Sequence, residues 1–206
     1  MLTAEGVTVG YGRGEIVLDA VDFAVEPGRL VGLSGESGSG KTTLVRTLAG
    51  LVTPRSGTVI LDGEPLGRAP RGAVAVVFQS PRTATNPRFT LGRIIGEPAD
   101  IRGDRKPDLR TLCAAVGLTP DLLGRRPHEV SDGQLQRACV ARALVQRPRY
   151  LLCDEATAML DAATTASIMR LIMNRAADEG IGVLVVAHDE DLLRACCERV
   201  ESLAAS

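Results

Sequence analysis

The sequence predicts an α/β fold with a mostly parallel central sheet, an antiparallel β flank at the N-terminus and an inserted, mostly helical segment. Three observations carry this reading. First, "LVGLSG", "AVAVVFQ", "YLLCDE" and "GVLVVAHD" are apolar nearly throughout, the texture of strands buried on both faces of a parallel sheet. Second, the runs "GVTVGY", "AVDFAV" and "GTVILDG" are β-branched and bounded by glycines and acids, so they suit an antiparallel flank. Third, helical patterns follow several runs, at 41–51, 131–146, 162–177 and 190–197, whereas Pro81, Pro87, Pro98, Pro107, Pro120 and Pro127 break the middle of the chain into short helical pieces such as 109–116. We read one domain over 1–206, with a core of 1–79 and 138–206 and a helical subdomain at 80–137.

Composition narrows the function. Hydrophobic residues make up 45% and aromatics 2%, so aliphatic side chains and Ala must fill a sizeable core and disorder is excluded. The formal net charge is −1 with a pI of about 6.2, which supplies no basic field for nucleic acid. No apolar run reaches the ~18–20 residues of a transmembrane helix, and "MLTAEGVTVG" has neither the basic nor the apolar region of a secretion signal. A cytosolic location follows, with any membrane served from its surface. Cys113, Cys139, Cys153, Cys196 and Cys197 form no C-x-x-C pair and are expected as buried, reduced thiols. Only Lys41 and Lys106 are lysines among 24 basic residues, so each calls for a reason.

Lys41 has one. "GESGSGKT" carries G-x-x-x-x-G-K-[ST] between a buried strand and an amphipathic helix. Gly35, Gly38 and Gly40 let the backbone of Glu36, Ser37 and Ser39 wrap a phosphate with inward N–H groups. The helix N-terminus adds its dipole. Lys41 reaches the β- and γ-phosphates, and the Thr42 hydroxyl is placed to ligate Mg²⁺; Thr43, beside it, packs or caps. The strand "YLLCDE" then delivers Asp154 and Glu155 to its carboxyl end, where open parallel sheets bind ligands. Asp154 suits Mg²⁺. Glu155, expected to leave the opposite side of the strand, suits a base aimed at a water. Further back, "VSDGQLQR" has Ser131 and Gln134 spaced as a capping box, enough to start a helix, and a helix start is also an anion site.

Five motifs in chain order, "GESGSGKT", Gln79 in "VVFQSP", "VSDGQLQR", "LLCDEA" and His188 in "VVAHD", resemble the nucleotide-binding subunits of ATP-binding-cassette (ABC) transporters. The resemblance implies a P-loop NTPase fold, ATP and Mg²⁺ as ligands, and ATP hydrolysis. In its terms Tyr11 would stack on adenine, against a plainer role as a strand tyrosine. Gln79 would touch Mg²⁺ and the attacking water and couple to the membrane subunit. His188 would contact the γ-phosphate, and Asp161 in "TAMLD" would face a second ATPase subunit, identical or not. Ser131, Gly133 and Gln134 would bind the γ-phosphate held by that second subunit. The implied partners are membrane-spanning permease subunits and, indirectly, an external substrate-binding protein, with no nucleic acid. The implied place is the cytoplasmic face of the cell membrane, as a peripheral subunit.

"FQSPRTATNPRFTLGRIIGEP" and "PHEVSDGQLQRACVARAL" resemble the dipeptide, oligopeptide and nickel importer branch more closely, which implies import of peptides or nickel chelates. Residues 86–97 are then expected near the docking surface, with Arg88 and Phe89 exposed. Three departures stand out. Asp132 replaces the usual first Gly of the pair and is expected to repel a γ-phosphate. Ala156 replaces a common Pro. The chain ends at Ser206, where related subunits continue, as a short or minimal member would. Two other functions compete. A soluble cassette ATPase of DNA repair, chromosome organisation or translation would carry a coiled coil, zinc-binding Cys pairs or two cassettes, none of which the sequence has. A non-catalytic ATP-binding partner would not need both Glu155 and His188.

Overall fold

The chain opens with β1 (Leu2–Tyr11) and β2 (Glu15–Val25), followed by β3 (Leu30–Ser34), α1 (Lys41–Leu48), β4 (Ser56–Leu61), the short β5 (Glu64–Pro65) and β6 (Val74–Val77). Helices α2 (Leu91–Arg102), α3 (Leu109–Ala115) and α4 (Asp132–Val145) come next. The chain then runs through β7 (Tyr150–Asp154), α5 (Ala162–Glu179), β8 (Gly182–Val186), α6 (Glu190–Cys196) and β9 (Arg199–Ser202). This computed structural model describes residues 1–12, 14–105 and 107–203; Lys106, and Ala204 at the end of "RVESLA", lie outside the described residues.

The strands form two sheets. One has the order β6-β7-β8-β3-β9, and all of its pairings are parallel. The other, β2-β1-β4-β5, is antiparallel. The mostly parallel sheet with an N-terminal antiparallel flank is therefore as the sequence predicts, with only the short β5 added to the flank.

Period-2 alternation explains why the parallel strands read as unbroken apolar runs. On β7, Leu151 and Cys153 join the core beneath α2, α4 and α5, whereas Tyr150 and Leu152 join the core between the sheet, α1 and the flank. On β8, Val183 and Val185 point one way and Leu184 and Val186 the other. Leu44, Val45 and Leu48 of α1 are fully buried in the second core. Burial of such side chains stabilises by about 1.5–3 kcal/mol each, which fixes α1 against the sheet.

The helical middle differs from expectation in one element. The proline-rich texture suggested only short pieces, yet α2 runs for 12 residues with Pro98 inside it. Pro98 removes one main-chain donor. The helix persists because the Thr90 side chain caps it, accepting from the Arg93 N–H, and because Leu91, Ile94, Ile95 and Ala99 bury one stripe. Helix α4 runs unbroken from 132 to 145 and packs against α2. Phe89, expected exposed beside Arg88, is instead half-buried against the core, with the Arg93 guanidinium 3.7 Å from its ring centroid. All five cysteines are free; Cys113, Cys139 and Cys153 are buried, but Cys196 and Cys197 are only partly so. Burial raises every one of these thiols, Cys153 and Cys197 to about 12, which keeps them protonated and unreactive at neutral pH. Among the described residues no helix is long and apolar enough to cross a membrane.

Candidate active site

The buried strand β3 ends at Ser34, and the glycine-rich loop turns the chain into α1. Gly40 is the N-cap of α1, with φ 96 and no side-chain cap. A Cβ there would lie 2.7 Å from Leu18 Cδ2, so both the left-handed backbone and the space require glycine. With no capping side chain to occupy them, the first-turn N–H groups stay available to an anion. Lys41 is buried at 5% exposure. Its Nζ donates to the carbonyl oxygens of Gly35 at 2.8 Å and Glu36 at 2.7 Å. Two of its three donors thus hold the ammonium across the loop, and one remains for a ligand.

The acid edge faces this loop. Thr42 Oγ1 donates to Asp154 Oδ1 at 3.2 Å, and Asp154 is 3% exposed at the end of β7. Burial raises its carboxyl pKa; the Thr42 hydroxyl opposes that rise and the Glu155 charge adds to it. A desolvated carboxylate beside a hydroxyl is a hard-oxygen donor set that a divalent cation would stabilise. Among the described residues no group of three or more His, Cys, Asp and Glu side chains could hold a metal alone.

The strand order explains why distant motifs meet. In the sheet, β6, β7, β8 and β3 are neighbours, and their ends are level: Val77 pairs with Cys153, Asp154 with Val186, and Leu33 with Val186. Gln79, Glu155, His188 and the phosphate loop therefore leave at one edge, the carboxyl edge where ligands bind. Glu155 does not follow strand alternation as the sequence suggests. Strand β7 stops at Asp154, and Glu155 has φ 50, with its N–H donating to Val186 O at 3.1 Å. That left-handed turn aims the carboxylate between two partners. Gln79 Nε2 donates to Glu155 Oε2 at 2.6 Å, and His188 Nε2 lies 2.9 Å from Glu155 Oε1. A cavity of about 300 Å³ is lined by Val17, Ser37, Gly38, Gly40, Lys41, Thr42, Thr43, Gln79, Glu155 and His188.

Other expected residues lie at or off its border. Tyr11 ends β1 with 46% exposure, and its hydroxyl is 3.3 Å from Thr43 Oγ1. Gly35 and Glu36 line a neighbouring hollow with His188, while Ser39 is buried under the loop. The structure does not bring Ser131, Gly133, Gln134 or Asp161 into the cavity's lining. Ser131 and Gln134 form both halves of a capping box at the start of α4: Ser131 Oγ accepts from Gln134 N at 3.2 Å, and Gln134 Oε1 accepts from Ser131 N at 3.0 Å. A Cβ on Gly133 would meet Met159 O at 3.3 Å, so this helix start packs on the loop leading to Asp161. Asp161 caps α5, and the hydrogen bonds from Thr164, hydroxyl first, hold its carboxyl below the usual range.

Two residues that the motifs did not flag complete this region. Arg82 forms an ion pair with Asp132 at 2.5 Å and donates to the carbonyls of Pro127 at 2.9 Å and Val130 at 3.3 Å. The negative charge expected at Asp132 is thus already partly answered within the chain. Gln136, fully buried on α4, donates to Phe78 O at 2.9 Å and Ala156 O at 2.8 Å. Gln136 stood among other polar residues in "VSDGQLQR" with nothing to single it out, and Arg82 gave no signal either, because the partners of both lie far along the chain.

A phosphate-cradling loop after β3 and an acidic end on β7 of the same parallel sheet, with a helical segment inserted between them in the chain, define a P-loop ATPase core. The chain belongs to the ABC transporter family, whose model matches residues 18–158. It is 42% identical over 205 residues to the nickel import ATP-binding protein NikE of Rhodospirillum rubrum, covering 93% of this chain and 74% of that protein. It is 34% identical over 196 residues to the oligopeptide transport ATP-binding protein OppF of Salmonella typhimurium, covering 89% of this chain and 59% of that one. Among solved structures, the dimeric ABC transporter cassette MJ0796 superposes with a TM-score of 0.89 at 28% identity, covering 99% of this chain and 94% of that chain. The same cassette in a post-hydrolysis state bound to ADP and Pi also gives 0.89, at 27% identity, with coverage of 100% and 97%. The chain is an ABC ATPase cassette homologous to nickel and oligopeptide importer subunits, and the soluble-cassette alternative is not favoured.

Proposed function

We propose that this chain binds ATP with Mg²⁺ and hydrolyses it, as a peripheral subunit on the cytoplasmic face of the cell membrane. Two such cassettes would drive permease subunits that import peptides or nickel chelates delivered by an external binding protein. The observation that carries the reading is the Glu155 carboxylate, held between Gln79 and His188 at a cavity that Lys41 and Thr42 also line. In this reading Lys41 and the N–H groups of 37–43 hold the phosphates, and Tyr11 borders the base. Mg²⁺, held by Thr42 and Asp154 with Gln79 near, would neutralise phosphate charge. Glu155 orients a water and takes its proton as the water's oxygen bonds to the γ-phosphorus and the bond to the β-phosphate oxygen breaks. His188 anchors the opposite side of that carboxylate. The core of 1–79 and 138–206 would carry this chemistry, and the subdomain of 80–137 would meet the permease. Lys41→Ala tests the reading: MgATP affinity, measured by calorimetry, should weaken by at least about 2 kcal/mol, the scale of a lost charge-assisted contact. Unchanged affinity would remove the phosphate role from Lys41. Arg at this position should not restore binding, because its planar fork is not a compact point charge.

We further propose that Ser131, Gly133, Gln134 and Asp161 act on the ATP of the second cassette, because they stand outside their own chain's cavity. Asp132 would then approach that ATP's γ-phosphate with its charge partly matched by Arg82. Both members of this pair are close to half exposed, a setting in which an ion pair is worth about 0–1 kcal/mol. Asp132→Gly alone should therefore change hydrolysis by no more than about fivefold. Arg82→Ala should slow hydrolysis in the native background and not in the Asp132→Gly background, a coupling that a double-mutant cycle of ATPase rates isolates. Equal effects in both backgrounds would leave Arg82 as a tether of the Pro127 and Val130 carbonyls only.

A further inference from the structure

We infer that Gln136 is a positioning residue that sets the Gln79–Glu155 pair from beneath, and so ties the start of α4 to the catalytic carboxylate of the same chain. The inference rests on the ATPase reading above. Gln136 is fully buried, and its Nε2 donates to two carbonyls, Phe78 O at 2.9 Å and Ala156 O at 2.8 Å. Phe78 immediately precedes Gln79, and Ala156 immediately follows Glu155. Above this bridge Gln79 Nε2 donates to Glu155 Oε2 at 2.6 Å. The two loops are therefore joined twice, once through their side chains and once through one amide below them.

Both neighbours are acceptors, so the NH₂ end of the amide must face them. Its Oε1 is buried with no hydrogen-bond partner among the described residues. A buried amide with one unsatisfied end is a poor device for stability, and the two donors are what the position uses. No apolar side chain could hold these carbonyls, and neither strand can do so alone. β6 stops at Val77 and β7 at Asp154, so the loops carrying Gln79 and Glu155 begin where the ladder ends. Gln136 continues the cross-link past the last paired residues, holding the carbonyl one position after Val77 and the one three positions after Cys153. It lies on the helix whose first turn carries Ser131 and Gly133, so a shift of that helix start reaches the carboxylate through this amide.

The same helix supplies a matched control. At its other end Gln146 Nε2 donates to Gly72 O at 3.2 Å and Val74 O at 2.8 Å, an equivalent double bridge at the far end of β6. Gln136→Met and Gln146→Met each remove two donors and keep the side-chain volume. Melting temperature, calorimetric MgATP affinity, steady-state hydrolysis and amide hydrogen exchange are measured on the full chain for both variants and the wild type. Gln136→Met should lower kcat by about tenfold or more with KM and MgATP affinity within about twofold, as loss of positioning does. It should also speed exchange in 78–80 and 155–157. Gln146→Met should lower the melting temperature without that fall in kcat or that local exchange. Equal kcat in the two variants, with no difference in exchange at these loops, overturns the positioning role. A wild-type chain that binds but never hydrolyses MgATP overturns the ATPase reading instead, and the exchange comparison still decides whether Gln136 sets the loops.

Discussion

Glu155→Gln should bind MgATP within about threefold of the wild type and turn it over at least ~100-fold more slowly, the scale of a lost general base. Binding survives because the change is small where binding happens. Lys41, Thr42 and the loop are untouched. The amide has a carbonyl oxygen to accept from Gln79 Nε2, as Glu155 Oε2 does at 2.6 Å, and an NH₂ to face His188 Nε2, now 2.9 Å from Oε1. The backbone keeps its left-handed turn, since Gln and Glu meet the same steric demand at φ 50. Only basicity is lost. ATP should then hold two cassettes together, visible as a dimer by light scattering in MgATP and a monomer without it. Turnover at the wild-type rate would move the base elsewhere. His188 is the first alternative, because its Nε2 lies 2.9 Å from the same carboxylate and lines the same cavity.

Much of this site was legible in the sequence because its parts are local. The phosphate loop declares itself by glycine spacing between a strand and a helix, and β7 and β8 by being apolar on both faces. The Ser131–Gln134 capping box was visible in four residues and is present in both halves. What was not legible depends on partners brought from afar. The repulsion expected at Asp132 overlooked Arg82, which lies 50 positions earlier and reaches it only through the fold. Pro98 argued against a helix that a buried stripe and the Thr90 cap sustain. Phe89 was expected exposed with Arg88, beside an apolar stretch and near a docking surface, yet it packs on the core under Arg93. Glu155 reached the right place by an unexpected route. Alternation ends with the strand at Asp154, and a left-handed turn, not the pleat, aims the carboxylate. Gln79 and Glu155 meet because β6 and β7 pair side by side, a neighbourhood that neither motif shows, and Gln136 of α4 bridges the carbonyls beside them.

Ser131→Arg should leave ATP binding by the monomer within about twofold of the wild type and abolish dimer-dependent hydrolysis. The first half follows from position: Ser131 is exposed, and the cavity of this chain is lined without it. The second half follows from bulk: a long side chain at the start of α4 blocks the approach of the second cassette's γ-phosphate. The fold should tolerate the change. Losing the Ser131 hydroxyl removes the acceptor for the Gln134 N–H and costs about 1 kcal/mol. The helix itself is held by Leu135, Ala138, Cys139 and Val140, all buried. Ser131→Ala separates the two roles, because it loses the cap without adding bulk. If the residue only caps α4, Ser131→Ala and Ser131→Arg should both lower the melting temperature and both hydrolyse ATP. If it completes the second cassette's site, the Arg variant should be inactive at every protein concentration, although its melting temperature stays close to that of the Ala variant. Mixing Ser131→Arg with Lys41→Ala chains sharpens the test. In a mixed pair, one site joins a native loop to a native helix start, and the other carries both defects. Activity should therefore return to a fraction of the wild-type rate on mixing, although neither variant hydrolyses ATP alone. Lost monomer binding in Ser131→Arg, or hydrolysis at the wild-type rate, would show that this helix start serves its own chain only.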